Sequence, residues 1–379
     1  MSLRTQVRRA GAPIGRPLRR AAIGLRTRGW PAHSCLIVAQ EGADWVLAYE
    51  ARQLRRIAAG LGVSIGPERW ASGVSGQSIF HESQFTLLLH EFERRGNHLG
   101  FAYFHGRPGT AGMPEFDACY RMLQRRHAEI DRVQVTNEPM AEVVLSTGID
   151  HEKVHRIPIG VDLAAFRPRT ASARAKARSA LGIPASAFVV GSFQKDGVGW
   201  GEGLEPKLIK GPDVLVAAVE RLRERVPELW LLLTGPSRGY VMAALDRIGV
   251  PYRHRYLPTV ESVATAYEAI DLCVVASREE GGPKAVLESM AVGVPLVTTR
   301  VGQAVELVRH GENGWMVDAE DVDGLVEWST HVAVAPRDDL DSVRREGLAT
   351  AERNSYEALT PRWRALLDGF VRIPGQNDR

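Results

Sequence analysis

The sequence predicts an α/β protein built from two doubly wound domains, each with a parallel sheet between layers of helices. Three observations lead to this prediction. The length of 379 residues suits two hydrophobic cores better than one. Short apolar runs of strand length alternate with helical patterns. This alternation occurs twice, on either side of the proline-punctuated stretch 154–168. We therefore expect an N-terminal domain over 31–157, a linker over 158–185 and a C-terminal domain over 186–354.

The first alternating series begins with a buried strand and ends before the linker. Its predicted strands are 35–40, 100–104 and 132–136, and its predicted helices are 45–61, 116–130 and 138–146. The apolar segments 78–80 and 85–89 are of uncertain type, because they are too short to show a period. Strands separated by helices imply a parallel sheet that is covered on both faces.

The second series follows the linker and is more regular. Its predicted strands are 188–193, 229–234, 252–257, 271–276, 295–299 and 315–317. Its predicted helices are 212–226, 237–248, 260–269, 283–292, 303–309 and 322–334, and a last helical pattern covers 356–371. The stretch 169–182 is small and basic and is expected to form a helix that ends at Gly182.

Residues 277–295 (SREEGGPKAVLESMAVGVP) combine a strand end, a glycine loop and a helix start. Pro283 is expected where the helix begins, because its missing N–H costs nothing there. Gly293 and Pro295 end the helix. A helix start leaves backbone N–H groups unpaired, which favours a phosphate, and open parallel sheets bind ligands at this edge. The segment therefore predicts an anion site.

Two glutamates flank this helix start. Glu280 lies in the loop before the helix, and Glu288 lies about a turn and a half inside it, with its side chain leaning back toward the N-terminus. A carboxylate can accept hydrogen bonds from two hydroxyls, so it suits a diol. With a diphosphate on the amides between them, the glutamates predict hydroxyl-rich groups at both ends of the ligand, which describes a nucleotide sugar.

This segment resembles the Glu-x7-Glu motif of retaining glycosyltransferases of family 4, in its Ser-x-x-Glu-Gly start and its Glu-Ser-Met-Ala-x-Gly-x-Pro end. The stretch 157–162 (IPIGVD) also resembles the family's interdomain connection, and the resemblance is strongest over 185–320. It implies the GT-B fold, two Rossmann-like domains facing across a cleft. It further implies that a C-terminal helix over 355–372 completes the N-terminal domain.

The resemblance also implies roles for individual residues. Glu280 would contact the hydroxyls of the donor sugar, and Glu288 would hold the ribose. His105 follows a predicted strand and precedes a glycine, as a histidine near the reacting carbon often does in the family. The predicted catalytic residues are Glu280, His105 and Lys210. The predicted donor-binding residues are Glu288, Gly281, Gly282, Pro283, Lys284, Lys195 and Leu257.

Two departures from the family pattern are present. Ser192 stands where the family usually has an arginine, and the glycine-rich insert 197–205 separates it from Lys210. Lys195 is a candidate replacement for the arginine, and the insert is either a lid or a plain surface loop. The turn at 40–44 (QEGAD) has one glycine and two acids where the family has a glycine pair, so the acceptor is left open.

The expected function is transfer of a hexose from a nucleoside-diphosphate sugar to a glycan or lipid-linked acceptor, with retention and without a metal or cofactor. Two alternatives stay open, because fold alone does not decide function. One is another GT-B enzyme, such as a sugar epimerase or a phosphorylase. The other is a non-catalytic subunit that binds the nucleotide sugar.

Composition is that of a globular protein, with 44% apolar and 25% charged residues, and no uncharged apolar run of membrane-spanning length occurs. The three cysteines, Cys35, Cys119 and Cys273, are far apart and odd in number, which favours reduced, buried thiols over disulfides or a metal site. A cytoplasmic location follows from reduced thiols. No nucleic-acid partner is expected.

Positive charge is concentrated at the start of the chain. Residues 1–30 contain eight arginines and no acidic residue, although the formal net charge of the whole chain is only +3. One interpretation is peripheral contact with anionic lipid at the inner membrane face. A targeting peptide is a second interpretation, and a disordered, solvated tail is a third.

Overall fold

The computed structural model describes residues 22–40, 46–89 and 94–375, which form two units. The first unit contains the described residues up to Pro158 and those from Leu359 onward, and the second contains 159–358. Each unit has a six-stranded parallel sheet, so the predicted pair of α/β domains is confirmed. Residues 1–21 of the basic segment and most of the turn at 40–44 lie outside the described residues.

The first sheet has the strand order β2-β1-β3-β4-β5-β6, with every neighbouring pair parallel. Its strands are β1 (Cys35–Ala39), β2 (Ser64–Ile65), β3 (Ser78–His81), β4 (His98–Tyr103), β5 (Arg132–Val135) and β6 (Val154–Arg156). Its helices are α1 (Val46–Gly60), α2 (Gln84–Leu89), α3 (Pro114–Arg126) and α4 (Glu138–Leu145). The two segments of uncertain type are thus a strand, β3, and a short helix, α2.

The second sheet has the order β12-β11-β10-β7-β8-β9, again with parallel neighbours. Its strands are β7 (Phe188–Phe193), β8 (Leu229–Thr234), β9 (Tyr252–Arg255), β10 (Leu272–Val275), β11 (Leu296–Thr299) and β12 (Trp315–Val317). Its helices are α5 (Ala171–Leu181), α6 (Pro212–Arg225), α7 (Gly239–Ile248), α8 (Val260–Ala269), α9 (Lys284–Val292), α10 (Ala304–Leu307), α11 (Val322–Val334) and α12 (Arg337–Arg353). Every strand predicted for the second series is present.

The order of the second sheet contains a switch point. The chain adds β8 and β9 on one side of β7, and then returns to add β10, β11 and β12 on the other side. Helices that follow β7 and β10 therefore leave the sheet in opposite directions and open a crevice at the carboxyl ends of these two strands. Open α/β sheets bind ligands in such crevices.

The C-terminal segment packs on the sheet of the first unit. Helix α13 (Thr360–Leu367) carries Trp363, whose ring meets the Phe80 ring edge-on at 6.1 Å between centroids. Arg132 of β5 donates to the carbonyls of Leu366 at 3.0 Å and Asp368 at 2.8 Å. The helix predicted over 356–371 is shorter, since 356–359 form turns before it begins.

Helix α12 was not predicted, because its sequence has many charged residues and few apolar ones (RDDLDSVRREGLATAER). Among the side chains of this helix whose burial is described, those of Leu340, Val343, Thr350 and Ala351 are buried. Pro336 at the N-cap and acids in the first turn are ordinary helix-start signals. The sequence therefore indicates where this helix begins, but it shows no apolar stripe along the helix.

The segment predicted as a linker forms part of the second unit. Helix α5 begins at the cap Thr170 and ends at Gly182, which has the left-handed φ of 64°. Arg178 on this helix is 2% exposed and donates to the carbonyls of Ala269 and Ala187 at 2.9 and 2.7 Å. Its guanidinium also pairs with Asp271 at 2.5 Å. This one side chain joins α5 to the starts of β7 and β10.

All three cysteines are buried thiols without disulfide partners, as the sequence predicted. Burial raises the pKa of Cys35 to about 11 and that of Cys119 to about 12, and it raises the pKa of Cys273 further. Among the described residues, no helix is long and apolar enough to cross a membrane.

We predict that Arg178→Met lowers the free energy of unfolding by about 3 kcal/mol, because it leaves buried carbonyls without their donor and removes the more buried of the two arginines that pair with Asp271. The matched control is Arg174→Met, since Arg174 pairs with the same Asp271 from a more exposed position (27%). An exposed pair contributes about 1 kcal/mol or less. Urea unfolding followed by far-UV circular dichroism measures both variants. Equal shifts in the two midpoints would contradict the prediction.

We predict that none of the three thiols reacts with Ellman's reagent in the native protein at pH 8. The reacting species is the thiolate, and a raised pKa keeps each thiol protonated at a pH well below it. In guanidinium chloride all three thiols become accessible and regain an ordinary pKa. The measurement is the absorbance released before and after denaturation, and rapid labelling of the native chain would argue against this burial.

Candidate functional site

The candidate site lies at the switch point of the second sheet, where β7 and β10 are neighbours. Lys195 follows the carboxyl end of β7, and Ser277 to Glu280 follow the carboxyl end of β10. A third segment, the 3-10 helix Leu208–Lys210, lies against the loop after β10. Three chain segments that are distant in sequence therefore meet at one edge of the sheet.

Backbone contacts hold the 3-10 helix against this loop. The amides of Arg278 and Glu279 both donate to the carbonyl of Ile209, at 2.8 and 3.0 Å. Gly211 has a left-handed φ of 61°, and a Cβ there would lie 1.9 Å from the carbonyl oxygen of Ala276. Only glycine permits both this conformation and this approach. The preceding residue, Lys210, is thereby held beside the end of β10.

Lys210 and Glu280 form the central ion pair of the site. The ammonium of Lys210 is 2.6 Å from Oε2 of Glu280, and the two side chains are only 16% and 11% exposed. Ser277 donates to Oε1 of the same carboxylate at 3.0 Å. The structure thus brings together two of the three predicted catalytic residues, and it fixes both oxygens of the glutamate.

Arg278 is a positioning residue that the sequence reasoning missed. Its guanidinium makes two parallel bonds to Asp213, at 2.8 and 2.7 Å, and pairs with Glu320 at 2.5 Å. The bonds from Arg278 are the main reason that the pKa of Asp213 lies below its ordinary value. Because Asp213 begins helix α6, this pair attaches that helix to the loop that carries Glu280. Nothing in the sequence alone paired the two residues.

The helix start after this loop has the predicted form. Pro283 is the N-cap of α9 and makes no side-chain cap hydrogen bond, and the helix begins at the next residue, Lys284. Gly281 accepts a bond from the backbone amide of Gln303 at 3.0 Å. A Cβ on Gly282 would lie 2.7 Å from Oε1 of Gln303, so Gly282 is needed for space.

Gln303 was also missed, and it secures this glycine loop. It is 1% exposed, and its side-chain amide accepts from the N–H of Ile159 at 2.8 Å and donates to the carbonyl of Ile159 at 3.3 Å. Ile159 is therefore held next to the loop at 281–282. The contact spans 144 positions in sequence, which no local pattern predicts.

Glu288 lies in the second turn of α9 and is 8% exposed. The hydroxyl of Tyr267, from the fully buried face of α8, donates to Oε2 of Glu288 at 3.0 Å. Burial, and next the charge of Glu288, raise the pKa of Tyr267 well above its ordinary value, so this phenol stays protonated and donates. Tyr267 is a further positioning residue that the sequence did not reveal.

Lys195 adds a second cation near Lys210. Its ammonium donates to the carbonyl of Gly197 at 3.0 Å and lies 5.1 Å from the centre of the Trp200 ring. Burial lowers the pKa of Lys195, and the charge of Lys210 is the next cause. Two ammonium groups that repel each other in a partly buried place are well suited to an anionic ligand.

The remaining predicted residues have other surroundings. The ammonium of Lys284 donates to the hydroxyl of Tyr356 at 3.1 Å. The side chain is therefore engaged in this contact, and the predicted contact with the donor diphosphate concerns the backbone amide of Lys284. Leu257 follows β9 and packs, half-buried, against the core on one side of the second sheet. His105 belongs to the first unit, after β4, where its ring contacts those of Phe85 and Phe116 at 6.1 and 5.3 Å.

Within the described ranges 22–40, 46–89 and 94–375, no three His, Cys, Asp or Glu side chains are grouped so that they could hold a metal ion. The charge at the candidate site comes from lysines, glutamates and backbone dipoles. This set can bind a diphosphate and hydroxyl groups, and it can stabilise negative charge on a departing phosphate.

A protein-family model described as Glycosyl transferases group 1 matches residues 202–331. The matched range contains Lys210, Glu280 and Glu288, and therefore most of the candidate site in the second unit.

Curated relatives match part of the chain. The D-inositol 3-phosphate glycosyltransferase of Segniliparus rotundus is 30% identical over 273 residues, which cover 66% of this chain and 57% of the relative. The protein of the same name from Salinispora arenicola is 33% identical over 214 residues, which cover 51% of this chain and 45% of the relative. The chain thus spans about half the length of these curated relatives.

Solved structures share the fold across both units. Anabaena Alr3699/HepE, in complex with UDP-glucose, has a TM-score of 0.70 at 16% identity and covers 88% of this chain and 99% of its own. Sucrose-phosphate synthase from Thermosynechococcus elongatus has a TM-score of 0.70 at 18% identity, with coverages of 88% and 98%. At these identities the likeness concerns the fold alone. It confirms the predicted GT-B fold class, with two parallel-sheet α/β domains of six strands each.

Proposed function

We propose that this protein is a retaining, metal-independent glycosyltransferase of the Glu-x7-Glu type, which moves a hexose from a nucleoside-diphosphate sugar to an acceptor hydroxyl. The observation that carries the proposal is the Lys210–Glu280 pair at the switch point of the second sheet, next to the start of α9. The match of residues 202–331 to group 1 glycosyl transferases supports the same activity.

The donor diphosphate lies, in this proposal, between the start of α9 and the two lysines. The backbone amides of Gly282 to Lys284 and the positive end of the helix dipole favour negative charge there. Lys210 and Lys195 add full charges, and the lowered pKa of Lys195 reflects their mutual repulsion as well as burial. A bound diphosphate relieves this repulsion, so the site is electrostatically prepared for it.

The two glutamates take opposite ends of the donor. We assign the sugar hydroxyls to Glu280, whose orientation Ser277 and Lys210 fix. We assign the ribose diol to Glu288, whose Oε2 is held by Tyr267. Leu257 is assigned to the nucleotide end of the donor, and Gly281 to the loop beside the diphosphate.

The reaction changes the charge most on the leaving group. As the bond between the sugar carbon and the phosphate oxygen breaks, negative charge grows on the diphosphate, and the fixed charges of Lys210 and Lys195 stabilise it. We propose that the acceptor hydroxyl attacks the face that the diphosphate leaves, and that the phosphate oxygen takes its proton. This path retains the anomeric configuration and requires no metal. From the first unit we propose His105 as a further contact of the donor sugar.

The acceptor is proposed from the relatives and from composition. The curated relatives are named for D-inositol 3-phosphate, a phosphorylated polyol, which makes this compound the first acceptor to test. A glycan or lipid-linked acceptor is the wider class. The arginines of 1–30 suit a peripheral position on anionic lipid at the cytoplasmic membrane face, where a lipid-linked acceptor would lie.

A second candidate function is donor binding without catalysis. Ser192 stands where the family has an arginine, and it is buried beneath Arg238, which donates to its carbonyl at 2.6 Å and its hydroxyl at 3.1 Å. No cation projects from that position. Binding of a nucleotide sugar without transfer or hydrolysis would favour this candidate over the enzyme.

The first experiment combines binding and turnover. Thermal shifts with uridine, guanosine and adenosine diphosphates and their sugars identify the base, because a ligand at 100 times its Kd stabilises by about 2.7 kcal/mol. Donor hydrolysis and transfer to D-inositol 3-phosphate are then measured with and without EDTA. Proton NMR of the product reports the anomeric configuration. Inversion, or loss of rate with EDTA, would exclude the corresponding part of the proposal.

We predict that Lys210→Met and Glu280→Gln each lower kcat by about a hundredfold or more, as removal of one preorganised charge at a reacting centre does. The matched control is Lys176→Met, which removes an exposed lysine of α5. Steady-state kinetics and thermal melting of all three variants separate lost chemistry from lost folding. A folded Lys210→Met enzyme with near-normal turnover would remove Lys210 from the site.

We predict that Gly211→Ala lowers affinity for the preferred nucleoside diphosphate more than about tenfold, because a Cβ there would push Lys210 away from β10. The control is Gly249→Ala, at a helix end with a similar φ of 70° and no neighbour within 4 Å of the added Cβ. Both variants carry the backbone cost of about 1 kcal/mol, so the difference isolates the close approach. Equal calorimetric affinities for the two variants would show that this approach is irrelevant to binding.

A further inference from the structure

The insert between Lys195 and Lys210 folds back on itself as a loop, 196–207, that we call the glycine hairpin. Gly197 and Pro206 form an antiparallel bridge, and the amide of Val198 donates to the carbonyl of Glu205 at 2.9 Å. The amide of Lys207 donates to the carbonyl of Asp196 at 2.7 Å, which closes the loop at its base. The insert therefore has a defined conformation.

A buried ion pair anchors the base of the glycine hairpin. Asp196 and Arg238 are 2.9 Å apart, and both side chains are 0% exposed. Arg238 also donates to the carbonyls of Gln194 at 3.1 Å and Thr234 at 2.8 Å, at the ends of β7 and β8. The hairpin is thus attached to the sheet edge that carries the candidate site.

The tip of the hairpin presents one aromatic ring. The hydroxyl of Ser237 interacts with the carbonyls of Gly199 and Gly201, at 3.2 and 3.0 Å, on the two sides of Trp200. The backbone amides of Gly239 and Tyr240 donate to the carbonyls of Glu202 and Gly203, at 2.8 and 2.9 Å. Trp200 is nevertheless 55% exposed, which is unusual for the largest apolar side chain. Its backbone is fixed and much of its ring faces solvent.

Trp200 is connected to the proposed diphosphate site. Its ring lies 5.1 Å from the ammonium of Lys195, a favourable cation–π distance. The pKa of Lys195 is lowered by burial and next by the charge of Lys210, and Lys210 pairs with Glu280. The ring therefore borders Lys195, one of the two cations that are proposed to hold the donor diphosphate.

The surroundings of Trp200 favour a hydroxyl-rich ligand over a lipid surface. Glu202 and Glu205 are exposed on the same hairpin, and acidic groups there would repel anionic lipid headgroups. Carboxylates accept hydrogen bonds from hydroxyls. An exposed indole on a loop that also carries exposed acidic residues suits a ligand with one apolar C–H face and an edge of hydroxyls.

We propose that the glycine hairpin is a carbohydrate-contacting element of the site, with Trp200 stacking on the C–H face of a hexopyranose ring. The negative face of the indole attracts the weakly positive C–H hydrogens of the sugar, as it attracts the positive edge of another ring. The pyranose is either that of the donor or that of the acceptor. This inference rests on the proposed function, because it takes the neighbouring lysines as the diphosphate site.

The test compares UDP with UDP-glucose, or the corresponding pair for whichever base stabilises the chain most. Calorimetric titrations use the full chain and the variants Trp200→Ala, Trp200→Phe and Leu204→Ala. Leu204 is the matched control, an apolar side chain on the same hairpin that is 62% exposed. A second arm probes a glycan array with labelled wild type and variants in saturating UDP. Thermal melting checks that each variant is folded.

If the donor sugar stacks on Trp200, Trp200→Ala lowers affinity for UDP-glucose by about threefold to tenfold and leaves affinity for UDP unchanged. If an acceptor sugar stacks there, the donor affinities stay equal and the variant loses glycan binding on the array. In both cases Trp200→Phe retains most of the effect of the ring, and Leu204→Ala behaves as wild type.

Three results would overturn the inference while the proposed function stands. They are no change in either arm, an equal loss of UDP and UDP-glucose affinity, and the same loss in Leu204→Ala. A wild-type chain that binds no nucleoside diphosphate and no nucleotide sugar is a different result, since it removes the proposed function itself and the inference with it.

Discussion

The contact between the 3-10 helix at 208–210 and the loop after β10 is the constraint on which the candidate site depends. Gly211 passes so close to Ala276 that no side chain fits between them, and Ile209 accepts two amide bonds from the loop. Arg278 then attaches the loop to the start of α6 through Asp213. These contacts decide where Lys210 stands, and the Lys210–Glu280 pair follows from them. The geometry of an ion pair is precise only if the backbones that carry it are fixed.

Two buried arginines organise the edges of the second sheet. Arg178 joins α5 to the starts of β7 and β10, and Arg238 joins the glycine hairpin to the ends of β7 and β8. Each pairs with one aspartate and several backbone carbonyls, so the cost of removing a charge from water is offset by many bonds. The second arginine also explains why the insert has a defined conformation. The backbone of this loop is also bonded on both sides of its tip. Whether the loop acts as a lid or as a plain surface loop stays a prediction.

The strands of the second series were predictable because buried parallel strands are continuous apolar runs. The misses have equally physical causes. Strand β6 has three residues without alternation, and it pairs with β5 at the sheet edge only once the domain is assembled. Helix α12 is mostly charged, so its contact face is too narrow to show a period. The helix within 169–182 was predicted, but the burial of Arg178 on it was not, because much of its bonding comes from Ala269 and Asp271, 91 and 93 positions away.

The sequence by itself determined the class of fold, the start of α9 and the two glutamates around it. The fold class follows from the alternation of strands and helices along the chain, whereas the helix start and the glutamates lie within one stretch of 19 residues, 277–295, where local backbone geometry sets the relation between loop and helix. Tertiary structure alone decided which groups complete the site. Tyr267 reaches Glu288, Lys210 reaches Glu280, and Gln303 reaches Ile159 across 21, 70 and 144 positions. Such contacts depend on how helices and strands pack, and packing is a property of the folded domain that no local pattern encodes.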